Sequence, residues 1–166
     1  GQSDNNYTTV ALSRYVTAVA SGKKYNYQLM NKIVDADGKT VKKYKVNYED
    51  ISGTLTSSQW DAIHSGMREV VSTMDRFQGF DIPVAGKTGT AQQTGHANHG
   101  LFVGYAPYDD PEITIAVRIA NSYSSHNAAT AARNVISYYY KETSMKDIKE
   151  MKAAGANGNT RNSVAD

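Results

Sequence analysis

The sequence predicts a mixed α/β (α+β) fold in which helices pack on an antiparallel sheet. Three segments place apolar residues at helical spacing, and three later strand-like segments follow one another through short connections. Strands joined by such short links run antiparallel. With 166 residues, 40% of them apolar and 20% charged, the chain is long enough for one packed domain or a large part of one.

The first half of the chain is predicted to hold two helices separated by a hairpin. Residues 8–20 place Leu12, Tyr15, Val16 and Val19 on one helical face, and Ser21-Gly22 ends that helix. The hairpin has strands at 29–34 and 40–46 around an Asp35-Ala36-Asp37-Gly38 turn. Its lysines at 39, 42, 43 and 45 are interpreted as a solvated edge strand rather than a basic patch, because edge lysines oppose aggregation.

The second helix is predicted over residues 59–74, capped by Thr56-Ser57-Ser58. Its apolar stripe consists of Trp60, Ile63, Met67, Val70 and Val71. His64 lies near the stripe, and we interpret it as a packed or surface histidine because no catalytic partner pattern surrounds it.

The second half of the chain is predicted to contain the sheet and a closing helix. Strands are expected at 83–93, 101–106 and 112–120, with a Gly-flanked loop at 94–100 and a tight turn at 107–111. A last helix at 125–141 is expected to turn Ala129, Ala132, Val135, Ile136 and Tyr139 toward the core. Residues 153–166 are rich in Gly and Asn and are predicted to form a tail.

Composition excludes several classes of protein. Because the chain has no Cys, it has no disulfide scaffold, Cys nucleophile or Cys-ligated zinc of its own. A net charge of +2 argues against a nucleic-acid binder, which would carry a basic stripe. No apolar run approaches the ~20 residues of a membrane span. The chain opens at Gly1 without Met or an apolar leader, so we expect a soluble fragment of a longer protein.

The most informative motif is Lys87-Thr88-Gly89 in the setting VAGKTGTAQ, at the polar end of a predicted strand. Further blocks accompany it in order: Gly1-Gln2 with Thr8-Thr9, then WDAIHSGM, then LFVGYAP, then the Ala-rich last helix. Together they resemble the C-terminal half of the transpeptidase domain of class B penicillin-binding proteins, the D,D-transpeptidases that cross-link peptidoglycan. The resemblance covers residues 1–141, and we assign 142–166 to a C-terminal extension.

The resemblance implies a β-lactamase/transpeptidase-like fold, with helices on both faces of the sheet. It also implies a parent protein anchored in the bacterial membrane with its domain on the outer side, and no organic cofactor. The expected partners are peptidoglycan stem peptides, β-lactam antibiotics and the upstream half of the same domain, with no nucleic acid among them.

The resemblance assigns roles to the four residues Lys87, Thr88, Gly89 and Thr90. Lys87 supplies a positive charge that attracts a substrate carboxylate, and the hydroxyls of Thr88 and Thr90 can bind that carboxylate. Gly89 has no Cβ, so an extended peptide can approach and pair with the strand edge. In the family, the backbone N–H at the position of Thr90 is an oxyanion-hole donor.

The nucleophile is expected to lie outside this chain. The family requires a Ser-x-x-Lys motif opening a helix and a Ser-x-Asn motif after it, both upstream of Lys-Thr-Gly. Ser21-Gly22-Lys23-Lys24 follows a helix instead, Ser3-Asp4-Asn5 precedes that false match, and Ser125-His126-Asn127 comes too late. We therefore predict that this chain alone does not become acylated.

His96 and His99 raise a separate possibility, a zinc site in the predicted loop after the Lys-Thr-Gly strand. Two His three residues apart can share a metal, but a structural zinc takes about four ligands, so the others would have to come from elsewhere. The competing interpretation is a polar loop over the cleft.

Two other functions compete with the transpeptidase. A serine β-lactamase or β-lactam sensor domain shares the fold and the Lys-Thr-Gly strand, and a non-catalytic module could use the same cleft only to hold peptide. The Gly1-Gln2 block and the Tyr105-Ala106-Pro107 turn favour the transpeptidase.

Overall fold

The structure is a computed structural model that describes residues 7–150. Its centre is a three-stranded antiparallel sheet whose spatial order follows the chain. The strands are β5 (Ala85–Gln93), β6 (His96–Ala106) and β7 (Ile113–Ile119). Thr88 lies opposite Phe102, which lies opposite Val117, so these three residues form one row across the sheet. The predicted mixed fold with an antiparallel sheet is confirmed.

Within the described residues 7–150, four α-helices accompany the sheet: α1 (Thr9–Ser21), α2 (Ser57–Ser72), α3 (Ser125–Tyr139) and the short α4 (Met145–Lys149). The predicted caps account for their ends. The Thr8 side chain accepts from the Ala11 N–H, and Gly22 ends α1 at a φ of 65°. Thr56 and Gln59 form a capping box at the start of α2.

Helices cover both faces of the sheet, as expected. On one face α3 packs over the buried ring of Phe102, together with the alternating apolar residues Ile113, Ile115, Val117 and Ile119 of β7. On the other face α1 contributes Val16 and α2 contributes Met67 to a smaller cluster around the buried Tyr105. Within residues 7–150, no helix has both the length and the apolar character needed to cross a membrane.

The core-facing residues of α1 and α3 differ in part from the prediction. Tyr15 of α1 is 65% exposed, and on α3 Val135 and Tyr139 are 49% and 51% exposed. The face of α3 is instead set by a row of small residues, since Ala128, Ala129 and Ala132 are fully buried with Ile136. Small side chains allow a helix to lie close to a sheet, so the helix turns its bulkier aromatic residues outward.

The predicted loop at 94–100 is wrong. Thr94 and Gly95 form a tight turn, with Gly95 at a φ of 76°, and β6 already begins at His96. His99 pairs with Ala91 of β5, and Gly100 pairs with Ile119 of β7. The segment is polar but becomes a strand because its backbone pairs with β5 and, at Gly100, also with β7, an interaction that its local composition does not reveal.

The segment between α1 and α2 forms two small antiparallel pairs rather than one long hairpin. The strands are β1 (Lys23–Tyr25), β2 (Lys32–Val34), β3 (Thr40–Lys43) and β4 (Tyr48–Asp50). β1 pairs with β4, and β2 pairs with β3 across the predicted turn, in which the Gly38 N–H donates to the Asp35 carbonyl at 3.1 Å. Gly1-Gln2, Ser3-Asp4-Asn5 and the predicted tail at 153–166 lie outside the described residues.

Candidate active site

The four residues singled out by the sequence lie in the middle of β5, at one edge of the sheet. Lys87 lies opposite Val103, Gly89 opposite Leu101 and Thr90 opposite Gly100 on β6. Within residues 7–150, no strand lies on the other side of β5. Lys87 is exposed, and Thr88, Gly89 and Thr90 are half-buried. The edge is therefore accessible, as a substrate-binding strand requires.

Two contacts hold the start of β5 in place. Arg68 of α2 donates through Nη1 to the Val84 carbonyl at 2.9 Å, and the Tyr108 N–H donates to the Pro83 carbonyl at 2.7 Å. Val84 and Ala85 are buried, so the strand enters from the core and reaches the surface at Lys87. Sequence reasoning did not identify the Arg68 contact, because a single arginine on a helix carries no signal of its distant partner.

The alternation of a strand divides the four residues between two faces. Thr88 and Thr90 lie on one face, about 7 Å apart along the strand, whereas Lys87 and Gly89 lie on the other. The Lys87 ammonium donates to the Thr88 carbonyl at 3.0 Å, so its charge stays beside the strand. A ligand lying along the edge can contact the Lys87 ammonium, the hydroxyls of Thr88 and Thr90, and the backbone of β5.

The glycines of β5 and β6 differ in the space that is available for a side chain. A Cβ on Gly86 would lie 2.5 Å from the ring of buried Phe102 and 2.8 Å from the Val103 carbonyl oxygen, and one on Gly104 would lie 2.7 Å from the Ala85 carbonyl oxygen. A Cβ on Gly89 would meet only Leu101 Cβ, at an ordinary 3.6 Å. The packing of residues 7–150 therefore requires glycine at 86 and 104 but not at 89.

The residues 21–24, which match Ser-x-x-Lys literally, make structural contacts away from β5. The Ser21 hydroxyl at the end of α1 donates to the Thr17 carbonyl at 2.7 Å, and Gly22 caps that helix. Lys24 forms an ion pair with Glu49 at 2.7 Å, while the Lys23 ammonium lies 4.9 Å from the centre of the Tyr48 ring. This serine and these lysines are thus held at the helix end and on the β1–β4 pair.

The zinc prediction at His96 and His99 is not supported. The part of the chain that the structure describes contains no group of three or more His, Cys, Asp or Glu able to hold a metal. The geometry explains this result, because both residues belong to strand β6, where positions three apart face opposite sides of the sheet. The loop in which the two histidines were expected to share a metal is therefore a strand that separates them.

His99 has a structural partner instead. The Asn121 N–H donates to Nδ1 of His99 at 3.1 Å, which places the proton of the neutral ring on Nε2. Removal from water lowers the pKa of His99, and the positive charge of Arg118 lowers it further. The neutral ring is therefore favoured in the folded chain.

His64 also makes a structural contact, as the sequence suggested. Its Nε2 lies 2.8 Å from the Val19 carbonyl oxygen of α1, and its ring packs edge-on against Tyr105 at 6.0 Å between centroids. Tyr105 is 1% exposed, its hydroxyl has no hydrogen-bond partner within residues 7–150, and burial raises its pKa to about 12. No pattern in the sequence predicted this buried hydroxyl.

Comparison with known proteins gives a consistent result. The family model described as "Penicillin binding protein transpeptidase domain" matches residues 1–137. Among curated proteins, the chain is 28% identical over 158 residues to the peptidoglycan D,D-transpeptidase MrdA of Haemophilus influenzae, covering 81% of this chain and 24% of that protein. It is 35% identical over 102 residues to MrdA of Acinetobacter baumannii, covering 51% and 15%. The chain thus spans about a quarter or less of these relatives.

Solved structures with the same fold include two penicillin-binding proteins. Penicillin-binding protein A from Mycobacterium tuberculosis superimposes with a TM-score of 0.73 at 19% identity, covering 82% of this chain and 35% of that one. Penicillin-binding protein 2B from Streptococcus pneumoniae gives a TM-score of 0.65 at 22% identity, covering 81% and 25%. These likenesses confirm the predicted fold.

Proposed function

Because the chain belongs to the penicillin-binding protein transpeptidase domain family, we propose that it forms one wall of a peptidoglycan D,D-transpeptidase active site. In that reaction a serine attacks the D-Ala-D-Ala peptide, D-Ala leaves, and an amine from a neighbouring stem peptide resolves the acyl-enzyme. β-Lactams mimic the peptide and acylate the same serine. The serine comes from the upstream half of the domain, in a parent protein anchored on the outer side of the membrane.

The accessible edge of β5 is the observation that carries this proposal. An extended peptide can add to the edge as a further strand, with Gly89 leaving room for its approach. Lys87 attracts the terminal carboxylate of the peptide, and the hydroxyls of Thr88 and Thr90 bind it. The Thr90 N–H stabilises the oxyanion of the tetrahedral intermediate, an interaction whose loss typically costs about 2.7–4 kcal/mol.

The chemistry of this site needs no organic cofactor. Serine acyl transfer uses side chains of the protein to move protons, with the lysine of the Ser-x-x-Lys motif as the base that activates the serine, and its only other reactants are the peptide and the amine. Residues 1–141 form the part of the transpeptidase domain present here, and 142–166 form an extension.

Labelling with a fluorescent penicillin tests the proposal. We expect the intact parent protein to retain the label under denaturing conditions and this chain alone to remain unlabelled. Lys87→Gln and Thr90→Ala should each slow labelling of the parent by at least about tenfold, since each removes a group that binds the carboxylate. Thr94→Ala is the matched control, because Thr94 is exposed in the turn that follows β5.

Three results would contradict the proposal. Equal labelling rates in all variants would remove the edge of β5 from the site. Rapid loss of the label with release of hydrolysed penicillin would indicate a β-lactamase, and no labelling of the parent would indicate a peptide-binding module.

A further inference from the structure

The hairpin formed by β2 and β3 stands apart from the core. All seven residues of the two strands are exposed, so neither face of the hairpin is covered. The lysines were interpreted from the sequence as those of a solvated edge strand, but within residues 7–150 this sheet consists of only the two strands β2 and β3. An isolated two-stranded hairpin is at best marginally stable in water, so its exposed apolar and charged side chains call for another explanation.

Charge is concentrated on this hairpin. Residues 32–45 contain five lysines and two aspartates, a net charge of +3 in a chain whose total is +2. Lys32 lies directly opposite Lys43 in the antiparallel register. Like charges at opposed positions destabilise a strand pair, so the hairpin sacrifices stability to hold these two ammonium groups side by side.

The neighbouring carboxylates do not neutralise these lysines. Asp35 accepts the backbone N–H groups of Asp37 and Lys39 within the turn, and Glu49 pairs with Lys24 on another strand pair. Within residues 7–150, none of the five lysines has a carboxylate at ion-pair distance. The positive charge of the hairpin is therefore available to an external anion.

The distribution of residues indicates a polymer rather than a flat lipid surface. Lys32, Lys43 and Val34 share one face, whereas Lys42 and Ile33 share the other. A hairpin that binds in a membrane would separate its charged face from its apolar face, and this one mixes them on both sides. A flexible anionic chain can contact both faces. The hairpin also lacks arginine. Its lysines therefore attract anions as point charges and do not select groups that accept two parallel hydrogen bonds in one plane.

We propose that the β2–β3 hairpin is a second binding surface, separate from β5, for peptidoglycan whose stem peptides end in free carboxylates. This inference rests on the proposed function, because that function brings the chain to this polymer. The hairpin would hold stem peptides that are not reacting, and so keep the polymer near the site between turnovers. Binding should weaken with salt, since exposed charges are screened over about 10 Å at 0.1 M ionic strength.

The opposed lysines allow a test in which loss of binding is separated from loss of folding. Lys32→Glu removes a positive charge but creates a favourable pair with Lys43, so the hairpin should become more stable. We expect the intact parent carrying this change to co-sediment with purified, insoluble peptidoglycan at least about threefold more weakly at low salt. Lys149→Glu, on exposed α4, is the control with the same change in charge and should bind as the unmodified protein does.

Several outcomes would overturn the inference. Equal weakening by Lys32→Glu and Lys149→Glu would show that only overall charge matters, and unchanged binding by both would exclude the hairpin. Stronger binding to vesicles of phosphatidylglycerol than to peptidoglycan, with the same dependence on Lys32, would assign the hairpin to a membrane. Labelling of the same samples by fluorescent penicillin reports on the proposed function separately, and should be equal in all three proteins.

Discussion

Replacing the two glycines at 86 and 89 with alanine should separate the demands of the fold from those of the site. In Gly86→Ala the new methyl group would meet the Phe102 ring at 2.5 Å and a backbone carbonyl at 2.8 Å. Phe102 is fully buried and the carbonyl belongs to the central strand, so neither can move freely. Overpacking of this kind costs about 1–3 kcal/mol, and we expect the upper part of that range.

Gly89→Ala should behave in the opposite way. Its methyl group meets Leu101 Cβ at 3.6 Å, an ordinary contact, and alanine is less costly than glycine within a strand by roughly 0.5–1 kcal/mol. We therefore expect unchanged or slightly higher stability, together with labelling by penicillin slowed by at least about tenfold, because the methyl group displaces the approaching ligand.

Urea unfolding and labelling rates of the intact parent measure both effects. The reasoning is refuted if Gly89→Ala loses as much stability as Gly86→Ala, since Gly89 would then be required by packing. It is also refuted if Gly89→Ala labels at the unmodified rate, since no ligand would then approach that position closely.

Four further substitutions test other parts of the structure. Thr56→Ala removes the capping box of α2 and should lower the free energy of unfolding by about 1 kcal/mol in urea titrations. Tyr105→Phe removes a buried hydroxyl that has no hydrogen-bond partner in the described chain, so the free energy of unfolding should stay unchanged or rise. Tyr140→Phe removes hydrogen bonds to the Ala106 carbonyl at 3.2 Å and to Glu112 at 3.3 Å, and should lower the free energy of unfolding by about 1 kcal/mol. The reverse order of these two effects would contradict the assigned contacts. The pKa of His99 is lower in the folded chain, through burial and Arg118, so the unfolded chain binds more protons and stability should fall as pH drops below about 6.5. His99→Asn should flatten that part of a plot of melting temperature against pH, and an unchanged slope would show that His99 does not contribute.

The sequence predicted the elements that depend on local chemistry. The ends of α1 and α2 follow from Thr8, Gly22 and Thr56, whose caps form as expected. The alternating residues of β7 face the core for the same reason, since a period of two requires only that one face be buried. The Lys87–Thr90 segment was likewise placed correctly on a strand.

The errors concern interactions between distant parts of the chain. Residues 96–100 become a strand because they pair with β5 and, at Gly100, also with β7, and Val135 is exposed because a row of alanines sets the face of α3. The metal prediction at His96 and His99 failed through the first of these errors, since two residues three apart share a face in a helix but not in a strand. At the site, the sequence identified the residues on β5. Only the structure shows that packing excludes a Cβ at Gly86 and allows one at Gly89.

The two edges of the sheet differ in a way that bears on where a substrate binds. Neither β5 nor β7 has an outer strand neighbour within residues 7–150, and a long exposed edge promotes aggregation unless it is covered or charged. Along β7 the alternate aliphatic residues already pack beneath α3 and the strand carries a single charged side chain, Arg118, so little on this edge opposes pairing with covering polypeptide. The edge of β5 carries Lys87, two threonines and a glycine that packing does not require. This polar edge can therefore remain exposed to water when no peptide is bound. If the upstream half of the domain covers the apolar edge, the polar edge remains open, and that is the edge on which we place the peptide.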